Sequence, residues 1–302
     1  MLSRNRALFG IPTILDTAAL QHGVRHMVSE YQDAMIDTGC GSPMRVRRYG
    51  VARRGSPLVL HMHGGAFQHC SLDRGQTVAD LLAETGAVVI STDYPAGPEH
   101  PFPQALEAAY ALLQRLWLDR AIWADKSVKL YVAGEEAGGN LAAALAMVAR
   151  DRRSPPLAGQ ILLSPMLDAA MATCSIRTAD AGPVGCKWAD GWHDYLCSAE
   201  KAFHPYAAPA SASRLAGLAP ALVLTAEDDP MRDESLRYAS RLRDSGVTVH
   251  ERTIAAPTHW PDALGCPLPT EMLWAAEVRD AFVAFFADRA AVLNSREGTD
   301  HD

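Results

Sequence analysis

Two hydrophobic periods alternate along the chain, and their order outlines the fold. Val24, Met27, Val28, Tyr31 and Met35 recur at helical spacing, so residues 1–40 are expected to be helical, with a break at Gly39 to Pro43. From Met44 to Val51 apolar residues alternate with arginines, the signature of an edge hairpin strand. Short apolar runs follow at 57–62, 87–92, 128–133, 160–166, 221–226 and 247–254, each expected to be a strand. Amphipathic segments lie between them. One covers 73–85, with Ser71 or Asp73 as cap candidate; another runs from the Pro-rich 94–103 through Leu118. A third runs to Arg150, a fourth covers 231–245, and a fifth, over 270–287, closes the chain. Strands alternating with helices at this spacing predict a mostly parallel sheet covered on both faces.

The alternation lapses over 169–205, which is rich in Gly, Trp and Cys and reads as an inserted cap with one helix around 188–198. The resulting division is N-terminal cap helices at 1–40, a core at 41–168 and 206–293, the cap insertion at 169–205, and a disordered polar tail at 294–302.

Composition narrows the function classes. Of 302 residues, 48% are hydrophobic and 21% charged, enough for a substantial core, and the net charge of −7 argues against nucleic acid or an acidic membrane as partner. No run approaches the ~18 apolar residues of a membrane span. The weak leader-like start (Arg4, Arg6, then A-L-F-G-I-P-T-I-L) is closed by Asp16 without a cleavage site. Six scattered cysteines without a C-x-x-C pair favour free thiols, hence a cytoplasmic location. No His/Cys/carboxylate grouping has zinc-ligand spacing, and neither metal nor cofactor is expected.

The chemistry gathers where strands end. V-K-L-Y-V-A-G-E-E-A-G-G-N-L (128–141) runs a strand into a helix through G-x-x-x-G, the geometry of a nucleophile elbow. Its central residue is Glu136, and Gly134 and Gly138 are needed where a Cβ would obstruct the close approach of strand and helix. H-G-G-A (63–66) follows another strand; Gly64 and Gly65, with the N–H of Ala137, are the expected oxyanion donors. Asp229 lies in E-D-D-P-M-R-D-E after the 221–226 strand, placed to orient an imidazole, and His259 lies just past the following strand. The order elbow, acid, histidine is that of a hydrolase triad. Phe67, Trp188, Trp192, Tyr195 and Trp260 are candidate walls for a small-molecule site. Asp233 and Glu234 read as solvated helix-cap residues, and His61, His69 and His100 as structural.

These motifs resemble the bacterial hormone-sensitive-lipase-like group of α/β hydrolases over about residues 57–262. H-G-G-A-F is similar to that group's H-G-G-G-F, D-Y-P-A-G-P-E-H-P-F-P to D-Y-R-L-A-P-E-H-P-F-P, and G-E-E-A-G-G-N to G-D-S-A-G-G-N. The segment from Leu215 to Glu234 is similar to the one around the family's acid. The resemblance implies an α/β-hydrolase fold, a mostly parallel eight-stranded sheet flanked by helices, with a helical cap. It also implies a serine esterase, yet position 136 is glutamate, Ala66 replaces a glycine, and Pro95 replaces an arginine.

A carboxylate attacking an ester would give a mixed anhydride with little gain. Two enzymatic readings therefore stand ahead of ester hydrolysis. Glu136 and His259, backed by Asp229, could act as acid and base in an isomerase-, lyase- or cyclase-like step, as in biosynthetic tailoring. Alternatively Glu136 could attack saturated carbon, as the elbow aspartate of epoxide hydrolases does. The substrate would be small, apolar, and carry a carbonyl or epoxide. A catalytically inactive esterase homologue that binds a small apolar ligand is the alternative, and a weak carboxylesterase a further one. The resemblance also implies a possible homodimer through the last strand and helix, which the apolar V-T-V-H-E-R-T-I permits.

Overall fold

A computed structural model describes residues 30–39, 41–69, 71–179, 183–266 and 272–297. Val24, Met27 and Val28 of the expected N-terminal helix, and residues 298–302 of the expected tail, lie outside these.

Eight strands form one sheet: β1 (Tyr31–Ile36), β2 (Met44–Tyr49), β3 (Leu58–Met62), β4 (Val88–Thr92), β5 (Leu130–Glu135), β6 (Gly159–Leu163), β7 (Ala221–Ala226) and β8 (Val249–Ile254). The spatial order is β1-β2-β4-β3-β5-β6-β7-β8. The pairs β1/β2 and β2/β4 are antiparallel and all others parallel. β3 to β7 are buried throughout, as near-continuous apolar runs require when helices cover both faces. One face carries α2 (Gln104–Leu118), the short α3 (Arg120–Trp123) and α4 (Glu136–Asp151). The other packs α1 (Gln76–Glu84) and α8 (Leu273–Glu297) around Phe282 and Phe285. The remaining helices are α5 (Cys174–Ala179), α6 (Pro183–Leu196) and α7 (Arg232–Asp244).

Four expectations need correction. Residues 31–36 form a strand, not a helix: Tyr31 and Met35 are exposed on β1, and a four-residue spacing fits one side of a strand as well as one side of a helix. α1 begins at Gln76 without a side-chain cap. Ser71 instead accepts the Asp73 N–H, and Asp73 pairs with Arg47. β2 is not the edge strand expected, because β1 pairs along its outer side. Arg47 is 4% exposed, bonds both Asp33 and Asp73, and lies over the Tyr31 ring. Finally, α8 continues to Glu297, into the stretch expected as tail.

The insertion after β6 carries α5 and α6 and is tied to α7 by two acids. Glu234 accepts the N–H groups of Leu167 and Asp168, and Asp233 accepts that of Ser175. Glu234 is buried, and burial pushes its carboxyl well above the usual range. It therefore anchors the insertion rather than solvating a helix start.

Candidate active site

The elbow forms because β5 meets α4 at a point with no room for side chains. A Cβ on Gly138 would run into the Met62 carbonyl, and one on Gly134 into the Gly138 carbonyl. Between them Glu136 takes φ +52°, a left-handed conformation that costs ~1–3 kcal/mol for a residue other than glycine. Strain of this kind aims its side chain out of the corner toward the loop after β3.

That side chain fills the loop. Glu136 Oε2 accepts the N–H of Gly65 at 2.6 Å and that of Ala66 at 3.2 Å. Gly65, Ala66 and Phe67 all have positive φ, at +134°, +50° and +59°, which turns successive N–H groups inward. The other oxygen, Oε1, accepts the Trp188 indole N–H at 2.5 Å and has the Lys187 ammonium 3.7 Å away. Glu136 is 6% exposed, and its carboxylate sits where the oxyanion hole is expected. A Cβ on Gly64 would lie 2.8 Å from Oε2, so a bare backbone is needed there.

Of the expected hole donors, Gly65 faces the carboxylate. The Gly64 N–H does not; it donates to Glu135 Oε1 at 3.0 Å. Ala66 takes its place. Ala137 is buried one residue into α4, where first-turn N–H groups lack helical partners. Glu135 also meets His61 Nε2 at 2.8 Å, and His61 Nδ1 meets Ser91 Oγ at 3.0 Å, a fully buried support beneath the loop.

The three residues expected to work together make no hydrogen bond or ion pair with one another. Asp229 accepts Ser164 Oγ at 2.7 Å, Thr225 Oγ1 at 2.6 Å and the Met231 N–H at 2.8 Å, and bonds no imidazole among the described residues. Burial raises its carboxyl to about 6, against these three hydrogen bonds. His259 has φ +59° and is exposed; among the described residues its ring makes no hydrogen bond or ion pair. Its backbone N–H instead donates to Asp228 Oδ2 at 3.0 Å. The cause is that both Asp229 oxygens turn inward to hydroxyls on β7 and after β6, while the histidine loop is held by the neighbouring acid.

The expected aromatic walls divide. Phe67 stacks on Tyr195 with centroids 3.9 Å apart and tilts against Trp192 at 5.4 Å. With Trp188, these side chains pack α6 onto the oxyanion loop. Gly191 completes the contact, since a Cβ there would run into the Ala66 carbonyl. Trp260 belongs to the core on the opposite sheet face, edge-on to Trp274 at 5.4 Å, and does not line this site.

Lys187, Asp228, Ser164 and Thr225 were not read from the sequence. Only Asp228 carried a signal, as the acid directly before Asp229 in E-D-D. Lys187 also pairs with Asp262, so it bridges the elbow and the segment after His259. Among the described residues no group of three or more His, Cys, Asp or Glu side chains is placed to hold a metal ion. No helix among them is long and apolar enough to cross a membrane.

A sheet of this order, a strained elbow and an N–H pair facing it define a class, and sequence comparison agrees. The alpha/beta hydrolase fold family matches residues 59–260, and the chain belongs to that family. It is 34% identical over 213 residues to carboxylesterase NlhH of Mycobacterium tuberculosis, covering 68% of this chain and 67% of that one. It is 31% identical over 208 residues to a gibberellin receptor of Arabidopsis thaliana, covering 64% and 59%. Esterase LipW from Mycobacterium marinum superposes with a TM-score of 0.77 at 31% identity, covering 86% of this chain and 82% of that one.

Proposed function

We propose that this chain uses the hydrolase scaffold without serine-type ester hydrolysis and binds a small, mainly apolar molecule. One observation carries the reading: the Glu136 carboxylate accepts the N–H groups of Gly65 and Ala66, the pair that would serve as the oxyanion hole. A carbonyl oxygen entering that hole must first displace a carboxylate held by three hydrogen bonds, each charge-assisted and worth ~1.5–3 kcal/mol. The nucleophile that the family resemblance implies at position 136 is replaced by the group that closes the hole. Among the described residues the His259 ring bonds neither carboxylate, and only its backbone N–H is engaged, by Asp228, which supports a site without the usual proton relay.

A second reading keeps an enzyme. The N–H pair of Gly65 and Ala66 is intact, and esterases stand among the relatives. Glu136 swinging out of the hole would then act with His259 as acid and base, or attack an epoxide carbon to give an alkyl ester.

Turnover and binding separate the two. On the binding reading, p-nitrophenyl butyrate is hydrolysed at the buffer rate by both the parent and Glu136→Gln, while a methyl ketone such as 2-nonanone raises the unfolding midpoint saturably. Saturable parent turnover that Glu136→Gln abolishes would refute it. A mass increase of one styrene oxide on Glu136 would establish the carboxylate-nucleophile route instead.

A further inference from the structure

Three successive acids follow β7: the first two hold the loop after β8, and the third faces the core. Glu227 accepts the Ala256 N–H at 3.2 Å. Asp228 accepts the Thr258 N–H at 2.7 Å, the Thr258 hydroxyl at 2.7 Å and the His259 N–H at 3.0 Å. Asp229 faces inward to Ser164, Thr225 and Met231. Burial opposes ionisation of Asp228, but the bonds from Thr258 and His259 outweigh it and hold the carboxyl below the ordinary range.

We infer that Asp228 is a positioning residue that fixes His259 at the surface, away from Asp229. Its two oxygens grip two consecutive residues of the loop, and His259 is left at φ +59° with its ring exposed. Asp229 keeps capacity for the missing partner. A carboxylate has about four acceptor positions, and three are used. An imidazolium there would also relieve the burial that opposes its charge. The histidine is therefore kept from its acid by the neighbouring residue's grip on the loop, while Asp229, turned inward, retains an acceptor position. This inference rests on the reading that the site has left serine-type hydrolysis, and it names the second device, after Glu136, that would keep it so.

The test is made in a Glu136→Ser background, which supplies a hydroxyl and empties the hole. With p-nitrophenyl acetate, Glu136→Ser alone is expected to show little turnover and no imidazole inflection in its pH profile. Adding Asp228→Ala should raise kcat at least tenfold with KM nearly unchanged. It should also bring an inflection near neutral pH that a further His259→Ala removes. Asp228→Asn, which keeps one acceptor oxygen, should give an intermediate rise.

A kcat unmoved within twofold by Asp228→Ala, at an unchanged unfolding midpoint, overturns the inference. So does a full imidazole inflection in Glu136→Ser alone. Should Asp228→Ala fail to fold, the His259 ring resonances decide between parent and Asp228→Asn: a shift supports the grip and its absence refutes it. The parent's own rate on the same ester tests the proposed function separately, because the Asp228 ratio is read only within the serine background.

Discussion

The Trp188 indole N–H donates to Glu136 Oε1 at 2.5 Å, joining the cap helix to the elbow. The bond spans 52 residues of sequence and closes the site from above while Gly65 and Ala66 hold the same carboxylate from below. Through it, the elbow residue also becomes a structural tie.

Glu136→Gln should lower stability by about 1–3 kcal/mol. An amide has one acceptor oxygen, whereas the site presents two backbone N–H groups on one side and an indole N–H on the other. Whichever way the amide faces, its NH₂ meets a donor. Urea unfolding of the parent and variant at neutral pH measures the difference.

Trp188→Phe keeps most of the packing but strips the indole donor from Oε1, leaving Lys187 as its polar partner among the described residues. A loss of about 1–3 kcal/mol is expected, from an under-satisfied buried carboxylate. Hydrogen exchange over residues 187–196 should quicken more than exchange in α4, because the cap loses its tie to the elbow while the core does not. Equal quickening in both would show that the bond does not hold the cap.

Gly191→Ala places a methyl against the Ala66 carbonyl, so α6 must lift from the oxyanion loop. Overpacking of this kind costs about 1–3 kcal/mol. Movement should be seen first in the amide resonances of Gly65 and Ala66, which are tied to Glu136. Unmoved resonances there would mean that α6 and the loop are not coupled through this contact.

Asp229 should make stability fall as pH rises from about 4 to about 6. Burial lifts its carboxyl from the ordinary 3.8 to about 6, so the folded protein binds its proton more tightly than the unfolded chain. Stability from that proton is complete below the unfolded value and lost as pH climbs through the folded one, about 3 kcal/mol in all. Carboxylates held below the ordinary range, such as Asp33 and Asp151, act with the opposite sign at lower pH. The difference between the parent and Asp229→Asn therefore isolates the effect. Urea titrations at pH 4, 5, 6 and 7 should give a flatter profile for the variant across that window.

Much of the fold was legible because it depends on local periodicity. The buried strands, the helices between them and the G-x-x-x-G corner follow from where apolar residues and glycines stand in line. The apolar positions of β1, four apart, satisfy both periods, and only pairing with β2 distinguishes them. Asp233 and Glu234 looked like solvated cap residues, since a helix start is normally exposed; the insertion that buries Glu234 comes from the segment after β6.

The sequence by itself determined that a carboxylate stands at a nucleophile elbow, with glycines, an acid and a histidine in hydrolase order. Tertiary structure alone decided where each points. The donors that capture Glu136 lie on a loop 71 and 70 residues earlier and on a cap helix 52 residues later. No local pattern specifies which of Asp228 and Asp229 turns toward the histidine loop. Adjacent side chains at a strand end face different neighbours, and there one acid met hydroxyls in the core while the other met the backbone of His259.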